Sequence, residues 1–290
     1  MDLATFLVQC LNAVQYGLLL FLVASGLTLI FGIMGVINLA HGSFYMIGAY
    51  LAFVLAPYFG DWFIARLVAG VLLAAAFGFL LEWAFFSFLY RREHLQQVLM
   101  TYALILVFEE ARSLLVGNDV HGVQAPQWLA GGFRLGELMS YPWYRVFASA
   151  ACIVVAAGLY FVVNRTRLGM MIRAGASNRD MARGLGINSQ MLYRVVFAAG
   201  VALAALAGMI AAPLSSVYPG MGDSVLIICF VVVVIGGIGS ITGALIASLL
   251  VGFVDTFGKV FFAEYSGVGV YLLMAVVLVW RPEGLMKRAY

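Results

Sequence analysis

The chain has 290 residues, of which 64% are hydrophobic and only 10% are charged. Soluble globular domains carry about 25% charged residues, so this composition excludes that class. The formal net charge is +3. Because the basic residues are dispersed over several loops and form no groove lined with aromatic side chains, the charge does not indicate a nucleic-acid-binding protein.

Apolar segments that are long enough to cross a bilayer recur along nearly the whole chain. A helix of about 20 residues matches a hydrocarbon core of about 30 Å. The predicted spans are residues 10–32, 43–57, 62–89, 96–116, 144–163, 192–212, 224–238, 241–258 and 266–280. The predicted fold class is therefore all-α, a polytopic transmembrane bundle of eight or nine spans that forms one domain over residues 1–290.

The basic residues predict the orientation of the bundle, because cytoplasmic loops are enriched in Lys and Arg. Three basic regions are predicted to be cytoplasmic: Arg91 and Arg92, the loop from about 164 to 194, and the tail with Arg281, Lys287 and Arg288. The segment from about 117 to 143 contains a single Lys or Arg, Arg134, and is therefore predicted to be external. The N-terminus is then outside and the C-terminus inside, which requires an odd number of crossings and favours nine.

The loop from 164 to 194 is too long for a turn and too polar to cross lipid. Ser177 and Asp180 have the spacing of a capping box, which predicts a short helix beginning near Asn178. Met181 and Leu185 would share its apolar face, and Gly186 is placed to end it. Such a helix could dock into a cytoplasmic partner or lie on the bilayer surface, and the residues alone leave both open.

A second unusual segment runs from Gly32 to Ser43, where glycines and the polar residues Asn38 and His41 interrupt an apolar region. Broken helices at membrane depth are tolerated only where they are buried in protein or line a water-filled cavity, so the segment indicates a transport pathway. The alternative is a helix-to-helix turn that is capped by Asn38 and Ser43. A similar glycine-rich segment, residues 236–244, suggests an internal repeat, although close helix packing explains its glycines equally well.

Two acidic residues, Glu109 and Glu110, lie within a predicted span, where a central charge costs roughly 2.5–3.5 kcal/mol. Arg112 follows Glu109 by three residues and is placed to neutralise it. An ion pair near the outer end of the helix is favoured over a proton relay or a substrate contact.

The sequence predicts a protein that is not an enzyme and binds no metal or other cofactor. We find no assembly of Ser, His and Asp and no paired carboxylates that would form a catalytic site. Cys10, Cys152 and Cys229 have no Cys or His neighbour at metal-ligand spacing. Lys259 follows Gly258 but lacks the rest of a phosphate-binding loop, so ATP-powered transport would require another subunit to bind ATP.

Four segments in this order and spacing resemble the membrane subunits of bacterial ABC importers for branched-chain amino acids, and the resemblance covers essentially the whole chain. The segments are GIMGVINLAHGSFYMIG (32–48), GMMIRAGASNRDMARGLGIN (169–188), IGGIGSITGA (235–244) and RPEGL (281–285). The resemblance implies a multi-pass permease of the bacterial inner membrane. It also implies a second, related permease chain, two cytoplasmic ATPase subunits that bind ATP and Mg, and a periplasmic substrate-binding protein.

The resemblance assigns roles to the candidate residues. The translocation-pathway candidates are Asn38, His41, Gly42, Ser43, Gly236, Gly237, Gly239 and Ser240. The candidates for coupling to the ATPases are Arg173, Ala174, Asn178, Met181, Ala182, Leu185, Gly186 and Asn188.

Other functions remain open from the sequence. Permeases of this kind also handle urea, short amides and small carboxylates, so the substrate is not fixed. A different class is a stand-alone secondary transporter that is coupled to protons through Glu109, Glu110 or His41. An integral-membrane enzyme is disfavoured, because it would need a cluster of polar catalytic groups that the sequence lacks.

Overall fold

The computed structural model describes residues 3–90, 92–134 and 140–286, and these form a bundle of α-helices. Arg91, Lys287 and Arg288, on which part of the orientation argument rests, lie outside the described residues. The main helices are α1 (Leu3–Met34), α2 (His41–Val54), α4 (Phe63–Leu81), α6 (His94–Val116), α7 (Trp143–Arg165), α10 (Ser189–Ala211), α11 (Met221–Gly236), α12 (Ile241–Phe261) and α13 (Ser266–Trp280). Each predicted span coincides with one of these helices.

Shorter elements connect the main helices. They are α3 (Ala56–Phe59), a π-helix (Glu82–Phe86) that continues α4 into α5 (Ser87–Leu89), α8 (Arg167–Ser177), α9 (Arg179–Gly184) and two 3₁₀ helices (Gln127–Leu129 and Ala263–Tyr265). The strands β1 (Gly132–Arg134) and β2 (Ser140–Pro142) form an antiparallel pair that lies between α6 and α7.

Five of the described helices are long and apolar enough to cross a membrane: Leu3–Met34, Phe63–Leu89, Trp143–Arg165, Ser189–Ala211 and Ile241–Phe261. Two further helices, Met221–Gly236 and Gly267–Trp280, are apolar but shorter. The chain is therefore an all-α membrane bundle, as predicted.

The helix ends gather at two opposite sides of the bundle. At one side, which we call the basic end, the Tyr90 hydroxyl lies 3.7 Å from the Met34 sulfur, and the Glu82 carboxylate pairs with Arg194 at 3.3 Å. The loops that follow α5 and α7 and the segment after α13 belong to this end. At the opposite end, Arg145 at the start of α7 donates to Asn12 in α1 at 2.7 Å. Consecutive long helices therefore run in alternating directions.

Helices α1 and α10 form the centre of the bundle and are buried along most of their length. They cross at Gly26 and Gly200, where a Cβ added to Gly26 would lie 2.6 Å from the Gly200 carbonyl oxygen. Helix α1 packs against α12 and α11, and α10 packs against α4 and α2. Because α1, α2 and α4 correspond in this way to α10, α11 and α12 with the opposite chain direction, the arrangement is typical of an inverted repeat.

Helix α2 begins inside the bundle and not at its end. The His41 ring nitrogen Nε2 lies 3.0 Å from the Val23 carbonyl oxygen. Val23 precedes the end of α1 by eleven residues, which corresponds to about 16 Å of helix. The chain therefore leaves α1 at the basic end and returns into the interior over residues 35–40 before α2 starts.

The second broken segment lies at a different place in the chain from the predicted one, residues 236–244. The glycines from Gly236 to Gly243 form a turn at the basic end, where a Cβ at Gly32 would lie 3.2 Å from Gly239. The segment that corresponds to residues 35–40 is instead residues 212–220, which lead from the end of α10 to the start of α11. The Gly220 amide donates to Glu109 Oε1 at 3.1 Å, about 10 Å inside the end of α6. This segment escaped notice because its prolines and single glycine are also typical of an ordinary loop.

Candidate functional site

The two helices that start inside the bundle meet at their N-termini. A Cβ on Gly42 would lie 2.2 Å from the Gly222 carbonyl oxygen, and a Cβ on Gly222 would lie 2.7 Å from that of Gly42. This backbone-to-backbone contact between α2 and α11 requires glycine on both sides. The amide ends of two helices, which carry partial positive charge, are thereby brought together in the interior. We call this contact the α2–α11 junction.

Polar side chains of the predicted pathway segment surround the junction. Asn38 and His41 are fully buried, and Ser43 is almost so. Asn38 Oδ1 accepts the Ala40 amide at 3.1 Å, whereas Asn38 Nδ2 and His41 Nδ1 have no hydrogen-bond partner among the described residues. Buried polar atoms are seldom left unpaired in structural positions. The alternative interpretation, in which Ser43 caps the following helix, is wrong, because α2 begins two residues earlier, at His41.

The acidic residues of α6 behave differently from one another. Glu109 Oε2 pairs with Arg112 Nε at 3.0 Å, as predicted, and Arg112 also donates to the Gly117 carbonyl oxygen at 2.6 Å. Because the other Glu109 oxygen accepts the Gly220 amide, this residue fixes the segment that leads into α11. Glu110 is exposed on the outside of the bundle.

The distal pathway candidates lie away from the α2–α11 junction. Gly237 and Gly239 have φ values of +97° and +84°, which glycine adopts without strain. Ser240 caps α12 by accepting the Gly243 amide at 3.0 Å. The Leu285 amide donates to the Ile235 carbonyl oxygen at 2.8 Å, so the C-terminal segment packs onto this turn. The structure therefore does not bring Gly236–Ser240 together with Asn38–Ser43.

The loop from 164 to 194 contains two helices, α8 and α9. The sequence predicted only α9. The N-cap of α9 is Asn178, whose side chain accepts the Met181 amide at 2.9 Å, so the predicted capping role of Ser177 is wrong. Ser177 is the last residue of α8, so Asn178 is the residue that directly precedes α9. Gly186 ends the helix as predicted, with φ +85° and its amide bonded to the Arg183 carbonyl oxygen at 2.9 Å.

Several coupling candidates have structural roles in this loop. Arg173 donates to the Val163 carbonyl oxygen and ties α8 to α7. Asn188 caps α10 by accepting the Met191 amide at 3.1 Å. Ala174 is half-buried on α8.

The apolar residues of α9 and of its C-cap, Leu185, point in two directions. Met181 is 62% exposed and Leu185 is 75% exposed, so both are available to a partner. Ala182 is only 2% exposed and packs inside the chain itself. The coupling candidate Ala182 therefore lies on a different face from Met181, because residues one apart on a helix do not face each other.

Sequence reasoning missed a cavity of about 460 Å³ in the half of the bundle near the opposite end. Its polar lining includes Asn12, Gln15, Arg145 and Asp255. A signal was present, because Asn12, Gln15 and Tyr16 recur at helical spacing in an otherwise apolar segment, and Asp255 precedes Lys259 by four residues. Only the tertiary structure brings these groups from α1, α7 and α12 to one cavity.

Known proteins that are similar to this chain are membrane permeases. A family model described as a branched-chain amino acid transport system / permease component matches residues 9–278. The chain is 32% identical to the high-affinity branched-chain amino acid transport system permease protein BraD of Pseudomonas aeruginosa, over 98% of this chain and 96% of BraD.

Two permease proteins of Escherichia coli K12 are also similar. LivH is 29% identical over 98% of this chain and 96% of its own length, and LivM is 27% identical over 90% of this chain and 66% of its own length. No solved structure matches the chain. From the extent of the family match and the helical membrane bundle, the chain belongs to the family of branched-chain amino acid transport permease components.

Proposed function

We propose that this chain is a transmembrane permease subunit of an ATP-binding-cassette importer and forms a translocation pathway for branched-chain amino acids. The observation that carries the proposal is the α2–α11 junction, where two helices begin within the membrane-spanning bundle beside the buried Asn38 and His41. Discontinuous helices of this kind form substrate sites near the bilayer midplane in transporters. The relatives named above, BraD and LivH, transport branched-chain amino acids according to their names.

The proposed partners supply what this chain lacks. LivH and LivM are both named as permease proteins of one transport system in E. coli K12, which supports pairing with a second, related permease chain. Two cytoplasmic ATPase subunits would bind ATP and Mg, and α9 would receive their movement through the exposed Met181 and Leu185. A periplasmic binding protein would deliver the substrate to the opposite end of the bundle.

The function is tested on the complete transporter expressed in a bacterial strain that lacks its own leucine uptake. Affinity purification of this chain in mild detergent is expected to recover a second permease and two ATPases. Cells are expected to accumulate radiolabelled leucine, and a Walker-lysine variant of the ATPases is expected to abolish this accumulation. Uptake of leucine by this chain alone, with loss on addition of a protonophore, would contradict the importer and favour a secondary transporter.

We also propose that the basic end is cytoplasmic, which follows from the basic residues at that end. The chain then crosses the membrane nine times, and two of the crossings combine a non-helical segment with a short helix: residues 35–40 with α2, and residues 212–220 with α11. The exposed Ser177, the last residue of α8, is suited to a test of this orientation.

In intact cells, a Ser177→Cys variant is expected to remain unlabelled by a membrane-impermeant thiol reagent and to react after the membrane is permeabilised. A Ser140→Cys variant, at the opposite end, is the matched control and is expected to react without permeabilisation, because Ser140 is exposed on β2. Labelling of Ser177→Cys in intact cells would reverse the orientation.

A further inference from the structure

The cavity near the opposite end is lined by both polar and apolar side chains. It lies between α1, α7, α12 and the segment after α10, and its volume of about 460 Å³ lies within the range of small-molecule sites. Its apolar surface includes Leu19, Leu20 and Val23 of α1 and Val225 of α11. A small molecule bound there would therefore meet both aliphatic side chains and charged groups.

A fixed positive charge forms part of the polar surface. Arg145 Nη1 donates to Asn12 Oδ1 at 2.7 Å and to Gln15 Oε1 at 3.1 Å. Both partners are neutral, and no described carboxylate forms a salt bridge with Arg145. The guanidinium is thus held in position by α1 without a paired carboxylate among the described residues, which suits it to bind one.

A buried negative charge lies in the same cavity on α12. The Asp255 side chain is 10% exposed, and its Oδ2 accepts Lys259 Nζ at 2.6 Å. The Lys259 side chain is 60% exposed, so water competes with its ion pair. An ammonium group that enters the cavity can therefore replace Lys259 at Asp255 without leaving either charge buried and unpaired.

The structure points to a substrate site in this cavity. We propose that it binds a zwitterionic α-amino acid with an aliphatic side chain, with the α-ammonium group at Asp255, the α-carboxylate at Arg145, and the side chain against Val23 and Val225. This inference deepens the proposed function and rests on it. Three chemically different surfaces then match the three parts of one ligand.

The cavity also connects with the α2–α11 junction. Val23 is one of the residues that line the cavity, and its carbonyl oxygen lies 3.0 Å from His41 Nε2. Tyr45, in the first turns of α2, is a further lining residue. The cavity is therefore lined by residues of α1 and α2 that lie close to the start of α2.

The test measures the initial rate of radiolabelled leucine uptake by the complete transporter. Asp255→Asn and Arg145→Gln are each expected to lower this rate roughly tenfold or more, because each leaves one charge of the bound substrate unpaired. Asp255→Glu and Arg145→Lys, which keep the charges, are expected to restore a substantial part of the rate. Glu264→Gln and Arg134→Gln, which neutralise exposed residues outside the cavity, are matched controls and are expected to transport at the wild-type rate.

A second measurement separates substrate binding from assembly. The purified Asp255→Asn and Arg145→Gln complexes are expected to contain all subunits and to retain ATP hydrolysis that is stimulated by the leucine-loaded binding protein. Wild-type uptake by both variants, or loss of uptake that merely accompanies loss of subunits, would overturn the site and leave the proposed function standing. Absence of leucine uptake by the wild-type complex would reject the proposed function and the site together.

Discussion

Replacing Gly42 by leucine is expected to lower leucine uptake roughly tenfold or more and to destabilise the folded bundle. A Cβ at this position would lie 2.2 Å from the Gly222 carbonyl oxygen and 2.7 Å from the Leu226 Cβ. Neither obstacle is the end of a flexible side chain, so α2 and α11 must move apart. Overpacking of this kind costs about 1–3 kcal/mol, and here it also displaces the two helix N-termini that form the α2–α11 junction.

The measurements are uptake per molecule of transporter in the membrane and the temperature of unfolding in detergent. Gly158→Leu is the matched control, because Gly158 lies on α7 with no atom within 4 Å of an added Cβ. It is expected to retain the wild-type rate and unfolding temperature. Normal uptake by Gly42→Leu would show that close contact at the α2–α11 junction is not required for transport.

The second large effect is expected at the surface of α9. Replacing Met181 and Leu185 together by glutamate would place two charges on the exposed apolar face that we assign to the ATPase contact. A charge that is buried in an interface without a partner costs about 2–5 kcal/mol. The double variant is therefore expected to insert normally, to lose the ATPases on purification or leave them uncoupled, and to support less than roughly a tenth of wild-type uptake.

Leu95→Glu is the control for this experiment. Leu95 is 68% exposed near the start of α6, at the basic end but outside the loop with α8 and α9. Its variant is expected to keep both the ATPases and the uptake rate. If the Met181 and Leu185 double variant keeps both ATPases and transports normally, α9 is a surface helix with no part in coupling.

Ala182→Glu would be a poor substitute for that double variant. Because Ala182 is 2% exposed, a glutamate there would first disturb the packing of α9 within the chain itself. Loss of uptake would then not distinguish failed docking from failed folding. The residues to substitute in a test of docking are therefore the exposed ones, Met181 and Leu185.

Local sequence signals identified the helices and several of the points where they end. The long apolar segments located each main helix of the described residues, because length and hydropathy are properties of a segment by itself. Gly186 and the Glu109–Arg112 pair were also predicted, since both depend on residues within one turn of each other. The same local reasoning chose Ser177 over Asn178 as the cap of α9, because both residue types satisfy the same capping rule.

What the sequence by itself determined about this protein is its class, an all-α membrane bundle, and the presence of broken segments with unusual polar groups. Only the tertiary structure decided that α2 and α11 start in the interior and meet at Gly42 and Gly222. It also decided that Arg145 and Asp255, 110 residues apart in the chain, line one cavity. The physical reason is that helix propensity and hydropathy act over a few turns, whereas a junction or a cavity is formed by packing between helices that are distant in sequence.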